Sequence, residues 1–208
     1  MKIIVFGSTG GTGRQLVQQG LAAGHTVTAF ARHPESLPAA PRLTPAPGDT
    51  SDPQAVERAI TGHEAVLCAL GGSPLRRRER VCSTAIGHIV PAMQRHGVRR
   101  VVAISTFGAG DTRPHVGWFP QHVLFGAVLA SEVADKEAME ATLAASPLDW
   151  TAVRIGVLSD DPPRGTWRAA DDGSIRGMGR IARGDVAAFM LQQLQGPEWV
   201  RRRPVVQY

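Results

Sequence analysis

Gly7-Ser8-Thr9-Gly10-Gly11-Thr12-Gly13 stands between a short apolar run and an amphipathic stretch. A strand that ends in such a turn and runs into a helix brings backbone N–H groups to a helix N-terminus. The dipole there favours anions, and glycine lets a dinucleotide diphosphate approach the backbone closely. The spacing is G-x-x-G-x-x-G, one residue longer than the simplest G-x-G-x-x-G fingerprint, so the strand–turn–helix context carries the reading. A tight turn without a ligand is the alternative. A P-loop is excluded, because it needs G-K-[ST] at the helix start and the only lysines are Lys2 and Lys136.

The residues after the second apolar run bear on which dinucleotide is bound. NAD sites place an Asp or Glu there for the ribose 2′-hydroxyl. Thr28-Ala29-Phe30-Ala31 offers no acid, and Arg32 comes next. A guanidinium clamps a 2′-phosphate as a fork, so the pattern predicts NADP(H) over NAD(H), with Arg14 as a possible second cation. Of the seven histidines only His33 lies near that position. His63, His88, His96, His115 and His122 lack metal-ligand spacing, and no metal is assigned.

Three further groups could act on a substrate. Ser105 and Thr106 close the fifth apolar run, where their hydroxyls would hydrogen-bond a nicotinamide or an acceptor, or merely end a strand. No His–carboxylate arrangement points at Ser105, so a serine-hydrolase reading is set aside. Trp118, Phe119 and Phe125 fall in a long irregular stretch and could stack on a flat heterocycle or simply pack the loop down. Lys136 has Glu132 four residues before it, where alcohol dehydrogenases of the short-chain type carry their proton-donating tyrosine. The only tyrosine is Tyr208.

Short apolar runs alternate with amphipathic stretches, the pattern of βα units around a parallel sheet. Strands are expected at 2–6, 25–30, 42–47, 64–70, 98–104 and 148–153, with a short last one near 204–207. Pro45 and Pro47 push the third to a sheet edge. Helices are expected at 12–23, at 53–61 (capped by Asp52 with Pro53 at its first position), at 80–96, at 131–145 and after Asp185. The reading is α/β: a doubly wound, mostly parallel Rossmann sheet of order 3-2-1-4-5-6 plus a short C-terminal strand, with helices on both faces. One domain is expected over 1–208, with a substrate-side loop at about 107–130 and a C-terminal extension at about 155–208.

The 208 residues, 43% hydrophobic and 20% charged, are close to ordinary globular usage and favour neither disorder nor a membrane protein. The apolar runs are too short to span a bilayer, and a strand at residue 2 leaves no room for a signal peptide. Cys68 and Cys82 are too few for a disulfide framework, so a cytoplasmic setting is expected. Net charge is +5, and the dense clusters are Arg76-Arg77-Arg78 and Arg201-Arg202-Arg203. Such short runs read as solvated loops, and no nucleic-acid partner is expected.

The ordered set Ile4 to Gly13, Gly48-Asp49, Ala65-Val66-Leu67 with Leu70-Gly71, Val101 to Thr106, Leu148 to Thr151, Ile181 to Ala187 and the closing Gln207-Tyr208 resembles atypical short-chain dehydrogenases/reductases. The resemblance is strongest to the biliverdin reductase B (flavin reductase) family. It implies NADPH binding and reduction of flavins or bilins, in a monomer or weak homo-oligomer. It places Gly7 to Gly13 on the diphosphate, Arg32 on the 2′-phosphate, and Asp49 and Thr50 by the adenine. Leu70, Gly71 and Gly72 would line the ribose and diphosphate channel. Lys136 could hydrogen-bond the nicotinamide ribose or be an ordinary helix-surface lysine. Ser105 and Thr106 would stand beside the nicotinamide. With no tyrosine donor, two functions remain. One is an NADPH-dependent reductase of a flavin, bilin or quinone-like small molecule, the proton coming from solvent. The other is a non-catalytic NADP(H) sensor of the NmrA type.

Overall fold

The computed structural model describes residues 1–71, 80–116 and 130–208. Strands β1 (Lys2–Phe6), β2 (Thr26–Ala31), β3 (Leu43–Pro47), β4 (Ala65–Cys68), β5 (Arg100–Thr106) and β6 (Asp149–Ile155) pair in parallel in the order 3-2-1-4-5-6. The sheet continues through β10 (Val205–Gln207), parallel to β6, and β8 (Arg168–Ala170), antiparallel to β10. The doubly wound arrangement expected from the sequence is the one observed. β3 is indeed an edge strand, with Pro45 opposite Ala29 and Pro47 opposite Ala31. A proline that cannot donate to a ladder is tolerated there.

Helices cover both faces, which is why β1, β4 and β5 are continuous apolar runs instead of alternating ones. On one face α1 (Gly11–Ala22) and α5 (Arg183–Gln192) pack together over Ile3, Val5, Leu67 and Val102. On the other, α2 (Pro53–Ile60), α3 (Val81–Arg95) and α4 (Ala130–Ala144) cover Ile4, Phe6, Val66 and Val101. Asp52 caps α2, its carboxylate accepting from the Gln54 amide at 2.9 Å with Pro53 at the helix start. Such a cap is worth about 1 kcal/mol.

The C-terminal part departs from expectation. α5 starts at Arg183, before Asp185, with Ala182 as its N-cap residue. Asp185 is buried and holds a loop: it accepts from the amides of Arg164 (2.7 Å) and Gly165 (2.9 Å) and from the Tyr208 hydroxyl (2.6 Å). The irregular stretch ahead of it contributes β8 to the sheet, and β7 (Val157–Ser159) pairs in parallel with β9 (Arg180–Ala182) as a separate ribbon.

Candidate functional site

The carboxyl ends of β1 to β4 and the first turn of α3 enclose a cavity of ≈ 540 Å³. That volume suits a cofactor, and its place beside the reversal of strand order is where ligands of open α/β sheets bind. Gly7 and Thr9 supply one wall, Phe30 and Arg32 a second, and Gly48 to Ser51 a third. Leu70 and Gly71 close the far side with Arg80 and Thr84 of the α3 start.

The turn is built by two glycines that nothing else could replace. Gly7 has φ +77°, and a Cβ on it would stand 3.0 Å from the Ala69 carbonyl. A Cβ on Gly13 would stand 2.0 Å from the Gly7 carbonyl oxygen. Ser8 is turned inward and donates to the Phe30 carbonyl at 3.2 Å, tying the turn to β2, and Thr12 is buried. Gly10 caps α1 without a side chain, and the first turn holds no acid. The orphan amides of that turn are therefore open to an external anion, with no carboxylate of the turn competing.

Arg32, the cation singled out from the sequence, lines the cavity at its lip. Arg32 is exposed, and among the described residues no group pairs with it. Arg14 is committed elsewhere: it donates to the Thr9 carbonyl at 2.9 Å and to the carbonyl and hydroxyl of Ser36, bracing the turn. His33 faces Glu35 at 3.1 Å. Asp49 accepts from the amide and hydroxyl of Ser51, both at 2.9 Å. The ring of His88 holds the Thr50 carbonyl from α3 at 2.8 Å, a support that no sequence motif announces.

The groups expected beside the nicotinamide divide. Thr106 is half-buried at the end of β5, with its hydroxyl on the Phe107 carbonyl at 3.2 Å. Ser105 is 1% exposed and donates inward to Glu140 at 2.5 Å. Lys136 is also buried, its Nζ donating to the carbonyls of Leu70 (2.8 Å) and Ile104 (2.7 Å), so it joins the ends of β4 and β5. Its neighbour Asp135 accepts from the amides of Cys82 (2.8 Å) and Ser83 (2.9 Å), capping α3 from α4. Burial pushes the Cys68 thiol up to about 11 and raises Cys82 as well, which leaves neither a ready nucleophile. Gly72, Arg76 to Arg78, Trp118, Phe119, His122 and Phe125 lie outside the described residues.

Sequence reasoning missed Arg80 and Thr84 as cavity residues. Their one signal was position, immediately before and within the first turn of the α3 pattern.

A family described as NAD(P)H-binding matches residues 7–197. The chain belongs to this NAD(P)H-binding family, and NAD(P)H is its cofactor. A curated relative, the 3-beta-hydroxysteroid dehydrogenase of Mycolicibacterium neoaurum, is 32% identical over 112 residues, covering 49% of this chain. The match spans only 31% of that protein's length. Among solved structures, ChuY, an anaerobilin reductase from Escherichia coli O157:H7, superposes with a TM-score of 0.83 at 22% identity, covering 100% of this chain and 97% of that one. A short-chain dehydrogenase/reductase from Veillonella parvula in complex with NADP gives 0.83 at 20% identity, covering 99% and 93%. Both share the fold of this NAD(P)H-binding chain. The uncapped α1 start and the tight turn that Gly7 and Gly13 allow fit the diphosphate of such a cofactor.

Proposed function

We propose that this chain is an NADPH-dependent reductase that delivers hydride to a flavin, bilin or similar conjugated acceptor, with the proton taken from solvent. The observation that carries the cofactor choice is Arg32: an exposed guanidinium at the cavity lip, with no partner among the described residues and no acid closing β2. NADPH, when bound, supplies the hydride. The α1 amides and the Gly7–Gly13 turn hold its diphosphate, Arg32 its 2′-phosphate, and Asp49, Thr50, Leu70 and Gly71 flank its adenosine half. Thr106 stands nearest the reacting ring, whereas Ser105 and Lys136 fix the ends of β4 and β5 from below. Trp118, Phe119 and Phe125 form the acceptor platform in this reading, within one unit spanning 1–208 that works in the cytoplasm as a monomer or weak homo-oligomer.

The choice of acceptor rests on the absence of a tyrosine donor. Glu132 occupies that place, and the Tyr208 hydroxyl is engaged by Asp185 and the Ala182 amide. A conjugated acceptor needs positioning more than a protein acid. The likeness to biliverdin reductase B in sequence and the fold shared with an anaerobilin reductase support the same class. The test is NADPH oxidation against a panel of FMN, FAD, biliverdin and a quinone. Turnover with at least one, faster with NADPH than NADH, is expected.

One observation favours a second reading, a non-catalytic NADP(H) sensor of the NmrA type. Ser105 and Lys136, two of the three candidate catalytic-side groups, are spent on internal hydrogen bonds. Tight binding of both NADP⁺ and NADPH, without turnover on the whole panel, is the outcome that would select it.

A further inference from the structure

Gly11 opens α1, and another residue fills the space its missing side chain leaves. A Cβ there would stand 2.5 Å from Nε and 2.6 Å from Cδ of Arg183. Arg183 is the first residue of α5, the helix packed along α1, so its side chain lies against the N-terminal turn of α1. The helix dipole already concentrates positive charge there, and a cation added to it is unfavourable unless an anion is shared. The first turn of α1 supplies none. Among the described residues Arg183 pairs with Asp160, 3.2 Å from Nη1, and that carboxylate is 87% exposed. A pair so open to water contributes little and gives no reason to hold a guanidinium against a positive helix end.

We infer that Arg183 is a diphosphate-binding residue: on cofactor binding it leaves Asp160 and grips the anion that the α1 amides also hold. The inference rests on the reading of the Gly7–Gly13 turn as the diphosphate site and adds a residue from the opposite end of the chain. Gly11 serves it by leaving room for the arginine stem. Arg183 and Arg32 then divide the cofactor. Arg183 meets the diphosphate that NADH and NADPH share, whereas Arg32 meets the phosphate that only NADPH has.

The experiment is equilibrium binding of NADH and NADPH, followed by fluorescence, to the full chain and to the variants Arg183→Gln, Arg183→Lys, Asp160→Asn and Arg32→Gln. A charge-assisted hydrogen bond predicts that Arg183→Gln weakens both cofactors by the same factor, about tenfold or more, at unchanged Tm. Arg183→Lys should recover part of that loss, and Asp160→Asn, by freeing the guanidinium, should tighten both. Arg32→Gln should weaken NADPH alone. Arg183→Gln leaving both Kd values within about twofold of wild type, or weakening NADPH alone, overturns the inference while the dinucleotide reading stands. A wild-type chain that binds neither cofactor overturns that reading and the inference with it.

Discussion

Arg154 and Glu140 meet as a fork beneath the end of β5, Nε to Oε1 at 3.0 Å and Nη2 to Oε2 at 2.8 Å, with side chains 2% and 6% exposed. The same carboxylate accepts from Ser105 at 2.5 Å and from Arg203 at 3.0 Å. One buried charge on α4 thus fixes β5, β6 and the segment entering β10. Two guanidiniums share Glu140; without it, among the described residues, the buried Arg154 keeps only the exposed carboxylate of Asp111, 2.6 Å from Nη1, and Arg203 only its stacking on Trp150. Glu140→Gln is expected to cost about 3–5 kcal/mol, read as a loss of roughly 10 °C in Tm and an earlier denaturant midpoint. A Tm unchanged within a degree or two would mean that the network carries no net stability.

Arg32 sets coenzyme choice in the proposed function. Arg32→Ala removes the cation at the β2 end of the cavity, and a guanidinium–phosphate contact is worth about 1.5–3 kcal/mol. The Kd for NADPH should rise by roughly one to two orders of magnitude while that for NADH stays put. Equal turnover with the two coenzymes in the wild-type chain would already count against the assignment.

Much of the frame was legible because its causes are local. Pro45 and Pro47 mark an edge strand, Asp52-Pro53 marks a helix start, and the glycine turn is read within one strand–helix unit. The position of Arg32 at the cavity was legible the same way, from its place directly after a strand. Ser105, Glu140, Arg154 and Arg203 form one cluster only after the chain has folded, since 14 to 63 residues separate Glu140 from its partners. Alternation along β5 puts Ser105 and Thr106 on opposite faces, but no spacing rule could reveal that Glu140 meets Ser105 there. Arg183 and Asp185 were missed as contacts for the same reason. Each acts on residues brought to it by the packing of α5.

His63 gives the fold a pH dependence of known sign. Its ring is half-buried, with Nε2 2.7 Å from the Thr28 hydroxyl and Nδ1 3.2 Å from the Ile60 carbonyl. Burial holds it below its ordinary value of 6.5, and burial lowers His25 too. The unfolded chain therefore binds protons that the fold resists, and stability is fully present above pH 6.5 and falls as the pH drops below it. Denaturant midpoints should decline from pH 7 toward about 5, above the range in which carboxylates titrate, and His63→Gln should flatten the decline, leaving the part due to His25. A midpoint that rises on acidification over that window would refute the assignment.

Gly13 tests the turn directly. Its pro-Cβ position lies 2.0 Å from the Gly7 carbonyl oxygen, a backbone atom that cannot swing aside. Gly13→Ala must move either the start of α1 or the end of β1, at a cost on the order of 1–3 kcal/mol. Cofactor Kd and Tm should worsen together, in contrast to Arg32→Ala, which moves the Kd alone. A Gly13→Ala protein that binds NADPH like wild type would show that the turn does not hold the diphosphate.

Ser105 and Thr106 are adjacent in sequence and opposite in role. Period-two alternation along β5 sends Ser105 to the α4 face, where it donates to Glu140, and leaves Thr106 half-buried at the strand end. Ser105→Ala takes one donor from a buried carboxylate that keeps two guanidiniums, so a loss of about 1–2 kcal/mol in stability is expected, with kcat/KM nearly intact. Thr106→Ala should do the reverse, leaving Tm alone and lowering kcat/KM with the acceptor found in the panel by about tenfold, because in the proposed function that side chain orients the ring that gives up hydride. Thermal melts and steady-state rates on the two variants separate the roles. If both keep full kcat/KM, the hydroxyls merely close a strand.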